Sequence, residues 1–408
     1  MKVLQVNCTD LPGSFSGHSL NMELRKEGID ARQVVLEQYS ERDSSVSRIE
    51  KDTVIHQILR WAEEKYSLSN LLYPYGQRFL ESGEFLDADV VHYHILHRFA
   101  FSLFDYPALM KYKKVVWTIH DPWIVTGNCV HPLECEKWKT GCGGCDRLTE
   151  NGFEMREDHT DLMWQIKYDV FRQINPHIVV ASGFMEDYLR RSPITGHFDK
   201  IHRIPFGVKN EKYDLGRKSE IRQKFGIPED KIVLGFRADD NPIKGCEYIY
   251  EALPLLEEKE KTVLVTVGDG TIPESIKRAY RVLELGWLND ENLVADFMLM
   301  CDIFLMPSIA ESFGYMALEA MAAQTPVISF EGTVVEEIID TPRCGLSVTY
   351  RSSRALREAV DFLILHKDMR EEMGREGRKR VEKEYLFREY VRKHRELYAE
   401  ILKEDNIE

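Results

Sequence analysis

Two glutamates in the stretch ESFGYMALEAM, Glu311 and Glu319, bracket seven residues of which only Ser312 is clearly polar. In a helix, a separation of eight residues gives about 80° of rotation and about 12 Å of rise, so the two carboxylates cannot touch. Either they hold different parts of one long ligand or they do nothing together. DIFLMPS, this stretch and AAQTPVISF read as one strand–loop–helix–strand unit. The strand covers Ile303–Met306, the loop Pro307–Ser312, and the helix runs from about Phe313 to Gln324. The amides of Phe313, Gly314 and Tyr315 are then expected in the first helical turn, where N–H groups lack partners and the dipole favours an anion. Gly314 would let a phosphate approach the backbone. The chemistry suggested is an anion seat flanked by two hydroxyl-accepting carboxylates. The same letters read equally well as an acid stabilising its own helix dipole plus an unrelated surface glutamate.

Other residue types could complete such a site. GFRADDNPIKG places Arg237 and Lys244 in a loop near a strand end, where two cations could stabilise a departing diphosphate, or could simply be solvated. VGDG ends another strand and puts Gly268 and Gly270 in a turn. VVWTIHDPW ends a strand in His120-Asp121, a position for a hydrogen-bonding, basic or capping histidine. His92 and His94 share a strand face, and with His97 they read as packing residues. Gly13, Ser14 and Gly17 follow the first strand and could approach a phosphate or an acceptor. Cys129, Cys135, Cys142 and Cys145 lie in NCVHPLECEKWKTGCGGC. The Cys-Gly-Gly-Cys turn suits two ligands of a tetrahedral structural zinc, with the other two cysteines, or His131, completing the set; four reduced thiols are the alternative. Asp87-Ala-Asp89 leads into a strand and reads as a cap, and no P-loop, dinucleotide fingerprint or zinc-protease motif is present.

Positioning these residues requires strand-end loops, and the chain is built to supply them. Short apolar runs alternate with helix-period segments throughout, the pattern of βαβ units and parallel sheets. Strands are predicted at Lys2–Val6, Ala31–Leu36, Val90–His94, Val115–Ile119 and His177–Ala181, with a helix from near His18. Residues 40–86 read as a helical elaboration, and the polar stretch after Ile201–Val208 as a linker. A second series follows in KIVLGFRA, TVLVTVG, a helix near Pro273–Leu285, DIFLMPS, TPVISF and GLSVTY, and the chain from Ser352 is helical. A length of 408 residues suits two doubly wound domains. Ligands in such sheets bind at the carboxyl ends of strands. A net charge of −14 with no compensating basic run argues against nucleic acid as a partner. MKVLQVN enters a strand directly and no apolar run approaches the roughly 20 residues of a bilayer span, which predicts a cytoplasmic protein. HRFAFSLFDYPALMKYKK could touch a membrane surface or form a core helix.

ESFGYMALEAMAAQTPVI resembles the donor-site signature of glycosyltransferase family 4, retaining enzymes of the two-domain GT-B fold. The resemblance implies two Rossmann-like domains facing across a cleft. Residues 1–206 would form an acceptor-side domain, 207–385 a nucleotide-sugar domain, and 386–408 a terminal helix crossing back. It assigns the transferred sugar to Glu311, the ribose to Glu319 and the diphosphate to the amides of Phe313–Tyr315, with Lys244 and Arg237 as the diphosphate clamp. Gly268 and Gly270 would approach the nucleobase, and His120 would face the sugar. LPGSFSG, with Gly13, departs from the family's tighter double-glycine loop. The cysteine-rich loop is similar to that of colanic-acid or exopolysaccharide-type members, where it is structural. The implied activity moves a hexose from a UDP- or GDP-sugar to a hydroxyl of a glycan or lipid-linked acceptor in surface polysaccharide biosynthesis. It needs no metal for the chemistry and allows peripheral contact with the inner face of the plasma membrane. A non-catalytic GT-B binding subunit and a GT-B epimerase are the alternatives.

Overall fold

The computed structural model describes residues 1–11, 17–39, 43–98, 100–148 and 155–404. Gly13 and Ser14 lie outside the described residues. The described chain falls into two compact units. The first comprises Met1–Pro205 with the segment from Val391, and the second Phe206–Tyr390.

The first unit carries a parallel sheet of β1 (Lys2–Thr9), β2 (Asp30–Glu37), β3 (Val46–Arg48), β4 (Val90–Tyr93), β5 (Lys114–Ile119), β6 (His177–Val180) and β7 (Ile201–Arg203), in the order β3-β2-β1-β4-β5-β6-β7. The second carries β8 (Ile232–Arg237), β9 (Thr262–Val267), β10 (Arg281–Glu284), β11 (Ile303–Met306), β12 (Val327–Phe330) and β13 (Gly345–Val348), in the order β10-β9-β8-β11-β12-β13. Both are doubly wound. The chain starts in mid-sheet, walks to one edge, then returns to extend the other side. The reversal leaves a crevice at the carboxyl ends of β1 and β4 in the first sheet, and of β8 and β11 in the second. VVHY, HIVV, IFLM and VISF form the inner strands because helices cover both sheet faces, and every residue of these four runs is buried.

The structure departs from the sequence expectations at sheet edges. The helix expected over Pro273–Leu285 stops at Ala279, and Arg281–Glu284 pairs with Val263–Thr266 as β10. Tyr280 makes the break: it is extended, its ring is buried, and its hydroxyl donates to the carbonyl of Leu253 at 2.5 Å. The helical elaboration is present as Thr53–Lys65, Gly76–Leu80 and Gly83–Asp87, but the region also contributes the short edge strand β3. Much of His97–Lys114 is core. Phe101, Leu103, Tyr106 and Leu109 are fully buried, while Phe104 and Tyr112 are exposed. The last helix, Phe387–Ile401, ends within the first unit, where the Tyr398 hydroxyl meets Nδ1 of His92 at 2.6 Å and accepts from Nε2 of Gln5 at 3.2 Å.

Candidate functional site

In the second unit the loops after β8 and β11 are built as one piece. The first leaves β8 at Arg237 and turns at Asn241, whose side chain accepts from the amide of Ile243 at 3.1 Å and starts a tight turn over Pro242–Lys244. Gly245 ends that turn in the left-handed conformation, φ +68°. A Cβ there would lie 2.0 Å from the carbonyl oxygen of Pro307 in the second loop, so only glycine fits. The amide of Ile309 donates to the carbonyl of Ile243 at 2.8 Å, adding a backbone bond between the loops. This register brings Lys244 to Glu311: Nζ donates to Oε1 at 2.7 Å, and the Ser308 hydroxyl donates to the same oxygen at 3.1 Å. Both side chains keep some solvent contact, 25% and 16% exposed, so a ligand can reach them.

Arg237 is oriented elsewhere. Its guanidinium pairs with Asp239 at 2.6 Å and lies 5.0 Å from the centroid of the exposed Trp287 ring. Its Nε is buried with no hydrogen-bond partner among the described residues. Gly268 and Gly270 face the same loop. The Gly270 amide donates to the carbonyl of Ala238 at 3.1 Å, and a Cβ at either glycine would collide with backbone of Ala238 or Asp239. Asp240 accepts from the amide of Thr271 at 2.8 Å. The loops after β8 and β9 therefore interlock, and that contact already accounts for both glycines.

The helix after β11 begins two residues later than expected. Gly314 sits at its N-cap in the left-handed region, φ +84°, and the helix spans Tyr315–Ala322. The amides of Phe313 and Gly314 thus precede the first turn. Phe313 is a core residue, edge-on to Phe206 with centroids 5.1 Å apart, and Tyr315 donates its hydroxyl to the carbonyl of Gly207 at 3.0 Å. Those aromatic contacts fix the entry of the chain into the helix.

Glu319 occupies a different electrostatic setting from Glu311. It faces Tyr213, whose hydroxyl donates to Oε1 at 3.5 Å, and it has no cation in contact among the described residues. Burial pushes its carboxyl up to about 8, with Glu291 adding to the rise and the Tyr213 hydrogen bond opposing it. Glu291 itself pairs with Lys209 at 3.4 Å and with Lys212. Tyr213, Ser308 and Trp287 were not singled out from sequence. The one signal for Tyr213 was an isolated aromatic in the charged stretch KNEKYDLGRKSE.

In the first unit, the reversal point between β1 and β4 is lined by histidines. Nδ1 of His94 lies 3.2 Å from Nε2 of His120, and Nε2 of His94 lies 2.7 Å from Oε1 of Gln5 on β1. His92 bonds Thr118 at 2.7 Å and stacks on His394 at 5.3 Å. Burial holds His120 down at about 4, against the pull of Asp121, so the ring is neutral at pH 7. Asp121 pairs with His97 at 3.1 Å; burial alone would raise its carboxyl, but His97 brings it down to about 2.

The cysteine loop carries the four thiols expected either to hold a structural zinc or to stay reduced. Among the described residues no three His, Cys, Asp or Glu side chains converge as a metal-binding group, and Cys129, Cys135, Cys142 and Cys145 are all free thiols. Burial pushes Cys129 up to about 12 and Cys142 up to about 11, so these two stay protonated. Cys142 instead accepts from the amide of Gly127 at 3.2 Å. Beside them Lys167, fully buried, donates to the carbonyls of Trp123 and Thr126 at 2.6 and 2.8 Å.

Comparison with known proteins bears on these two units unequally. Residues 217–380, less than half of the chain, match the family described as "Glycosyl transferases group 1". The chain is 27% identical over 246 residues to EpsD of Bacillus subtilis (strain 168), named as a glycosyltransferase, covering 57% of this chain and 63% of that one. It is 23% identical over 191 residues to the N-acetyl-alpha-D-glucosaminyl L-malate synthase of Bacillus anthracis, covering 46% and 50%. The matches thus span between half and two thirds of these relatives. Among solved structures, sucrose-phosphate synthase of Thermosynechococcus elongatus superposes with a TM-score of 0.73 at 17% identity, covering 98% of this chain and 99% of that one. WaaG, a glycosyltransferase involved in lipopolysaccharide biosynthesis, does so with a TM-score of 0.68 at 19% identity, covering 99% and 100%. HepE of Anabaena, solved with UDP and glucose, gives 0.68 at 14% identity, covering 98% and 100%. The fold is that of the GT-B glycosyltransferases, and the family match falls on the unit that holds Glu311, Glu319 and Lys244.

Proposed function

We propose that the protein is a retaining glycosyltransferase that moves a hexose from a UDP- or GDP-sugar to a hydroxyl of a glycan or lipid-linked acceptor in surface polysaccharide biosynthesis. The observation that carries this reading is the 2.7 Å contact of Lys244 with Glu311 at the reversal point of the second sheet. A cation for the diphosphate and an acceptor of sugar hydroxyls are already side by side, as a bound sugar diphosphate requires. When the donor enters, Lys244 exchanges one oxygen of Glu311 for a phosphate oxygen, and Glu311 turns to the sugar hydroxyls. Lys244 and the amides at the start of helix Tyr315–Ala322 take up the charge that develops as the nucleoside diphosphate leaves. Arg237 joins the clamp once phosphate displaces Asp239 from its guanidinium. Glu319 and Tyr213 receive the ribose, and the loop at Gly268 and Gly270 meets the base.

The retaining course follows from the resemblance: the leaving phosphate oxygen takes the acceptor proton on the face from which it departs. His120, whose basicity burial lowers to about 4, serves this reading as a hydrogen-bonding group for the sugar and is too weak a base to take the acceptor proton. The HepE complex with UDP and glucose and the capsular polysaccharide glycosyltransferase CapM of Staphylococcus aureus support the donor and pathway classes. A lipid-linked acceptor would bring the protein to the inner face of the plasma membrane.

Purified protein incubated with UDP- and GDP-sugars plus acceptor should release the free nucleoside diphosphate. Lys244→Ala and Glu311→Ala should each lower turnover by about tenfold or more with the fold intact. Wild-type turnover in both variants refutes the assignment, and a chain that binds donor but never releases nucleoside diphosphate is a binding subunit.

A further inference from the structure

Helix Thr53–Lys65 buries the opposite face from the one its sequence favours. Toward the first unit it presents His56, Leu59 and Glu63. Nδ1 of His56 meets the Tyr75 hydroxyl at 3.0 Å, and the Glu63 carboxylate accepts from the amides of Asn70, Leu71 and Leu72 at 2.8, 2.6 and 2.9 Å. Toward solvent it presents Val54, Ile55, Ile58 and Trp61, between 50% and 65% exposed. Val54, Ile58, Trp61 and Lys65 fall within about 60° of one another around the helix axis. Asp52 caps the start through the amides of Val54 and Ile55, so the stripe begins on an ordered turn. An apolar stripe held outward by a polar anchor is a surface kept for something.

We propose that this helix docks the first unit onto the surface of a lipid bilayer, with Val54, Ile58 and Trp61 entering the acyl boundary and Lys65 meeting the headgroups. Two observations select a bilayer over a protein. One 13-residue helix stripe offers a few hundred Å², well short of the roughly 800 Å² per partner of a stable protein interface. The stripe also ends in Trp61, Lys65 and Tyr66, with the Lys65 ammonium 4.7 Å from the Trp61 ring centroid and 5.3 Å from that of Tyr66. Amphipathic rings beside a snorkelling lysine are the residues that settle at a membrane–water boundary. With a net charge of −14, diffuse attraction to anionic lipid is lacking, and the apolar insertion must supply most of the binding. The proposal stands apart from the transferase reading, because vesicle binding is measured without donor or acceptor.

The test is sedimentation of the full chain with vesicles of phosphatidylcholine and phosphatidylglycerol. Replacing Val54, Ile58 and Trp61 together by serine should lower the bound fraction about tenfold or more, with the thermal transition unchanged because all three are exposed. Of the six tryptophans only Trp61 and Trp287 are exposed, so a vesicle-induced blue shift should persist in Trp287→Phe and vanish in Trp61→Phe. No vesicle binding by the wild type, or equal binding by the serine variant, overturns the proposal. So does a concentration-dependent dimer that the same substitutions abolish, since the stripe would then be covered by a second copy.

Discussion

Glu319→Gln should make the protein more stable and its donor site worse, and only above a defined pH. The ordinary carboxyl value of 4.5 is raised to about 8 in the fold, chiefly by burial. Between those values the folded chain keeps a proton that the unfolded chain has released, so stability falls as pH rises through this window. At 1.36 kcal/mol per tenfold change in proton affinity, the full effect is about 5 kcal/mol; the carboxyl keeps some contact with water, so roughly 2–4 kcal/mol is expected. Glutamine copies the protonated shape and loses nothing with pH. The variant should therefore match wild type near pH 4.5 and pull ahead to a plateau above pH 8. The melting temperature there should be raised by roughly 5–10 °C, at about 2–4 °C per kcal/mol for a unit of this size. UDP and GDP affinity should fall roughly tenfold or more, the loss of an ionised acceptor for ribose hydroxyls. The assay is paired: melting curves of both chains from pH 5 to 9, and nucleotide titration at pH 8. An equal offset at every pH, or a less stable variant above pH 8, refutes the burial argument. Unchanged affinity for both nucleotides removes Glu319 from the site.

Two further perturbations test the frame around the site. Gly245→Ala places a Cβ 2.0 Å from the Pro307 carbonyl at φ +68°; it should destabilise by roughly 2–4 kcal/mol and, by parting Lys244 from Glu311, lower turnover about tenfold or more. Denaturation midpoint and nucleoside diphosphate release check the two effects. Acid should act through the histidines of the first unit. His92 and His94 are held well below their ordinary 6.5 and His120 at about 4, by burial first, so the unfolded chain binds protons that the folded chain refuses as pH falls from about 6.5 to 4. Unfolding near pH 5.5 should take up roughly three protons at these rings and a further share at His56, His177 and His202, less those released by Glu319 and Glu63, and calorimetry in buffers of different ionisation enthalpy measures the net.

The inner strands of both sheets were legible because burial on both faces leaves an uninterrupted apolar run, as in IFLM and VISF. Two of the edge strands were not: RVLE and VSR carry charge at one or both ends and owe their extended form to a neighbour's register. Glu311 and Lys244 could be named from loops at strand ends. Their contact could not, since it depends on β8 and β11 lying side by side although 65 residues separate their ends and starts. The helix start was misplaced by two residues because the aromatic packing of Phe313 on Phe206 sets it, and no local propensity encodes that contact. Arg237 shows the same limit. A strand-end arginine announces charge, but its direction is decided by Trp287 and Asp239. For helix Thr53–Lys65 the helical character of the region was legible and the facing was not, since three amides beyond its end draw Glu63 inward.

The seam between Gly245 and Pro307 has a consequence for how this molecule can change. Joined by a carbonyl seated where a side chain would be, and by the amide of Ile309 on Ile243, the two loops cannot drift independently. Insertions or deletions in either would have to preserve that joint, whereas single substitutions at its rim would leave it whole. Divergence toward new donors should therefore proceed by swapping individual residues around an invariant hinge pin, with length variation confined to loops elsewhere.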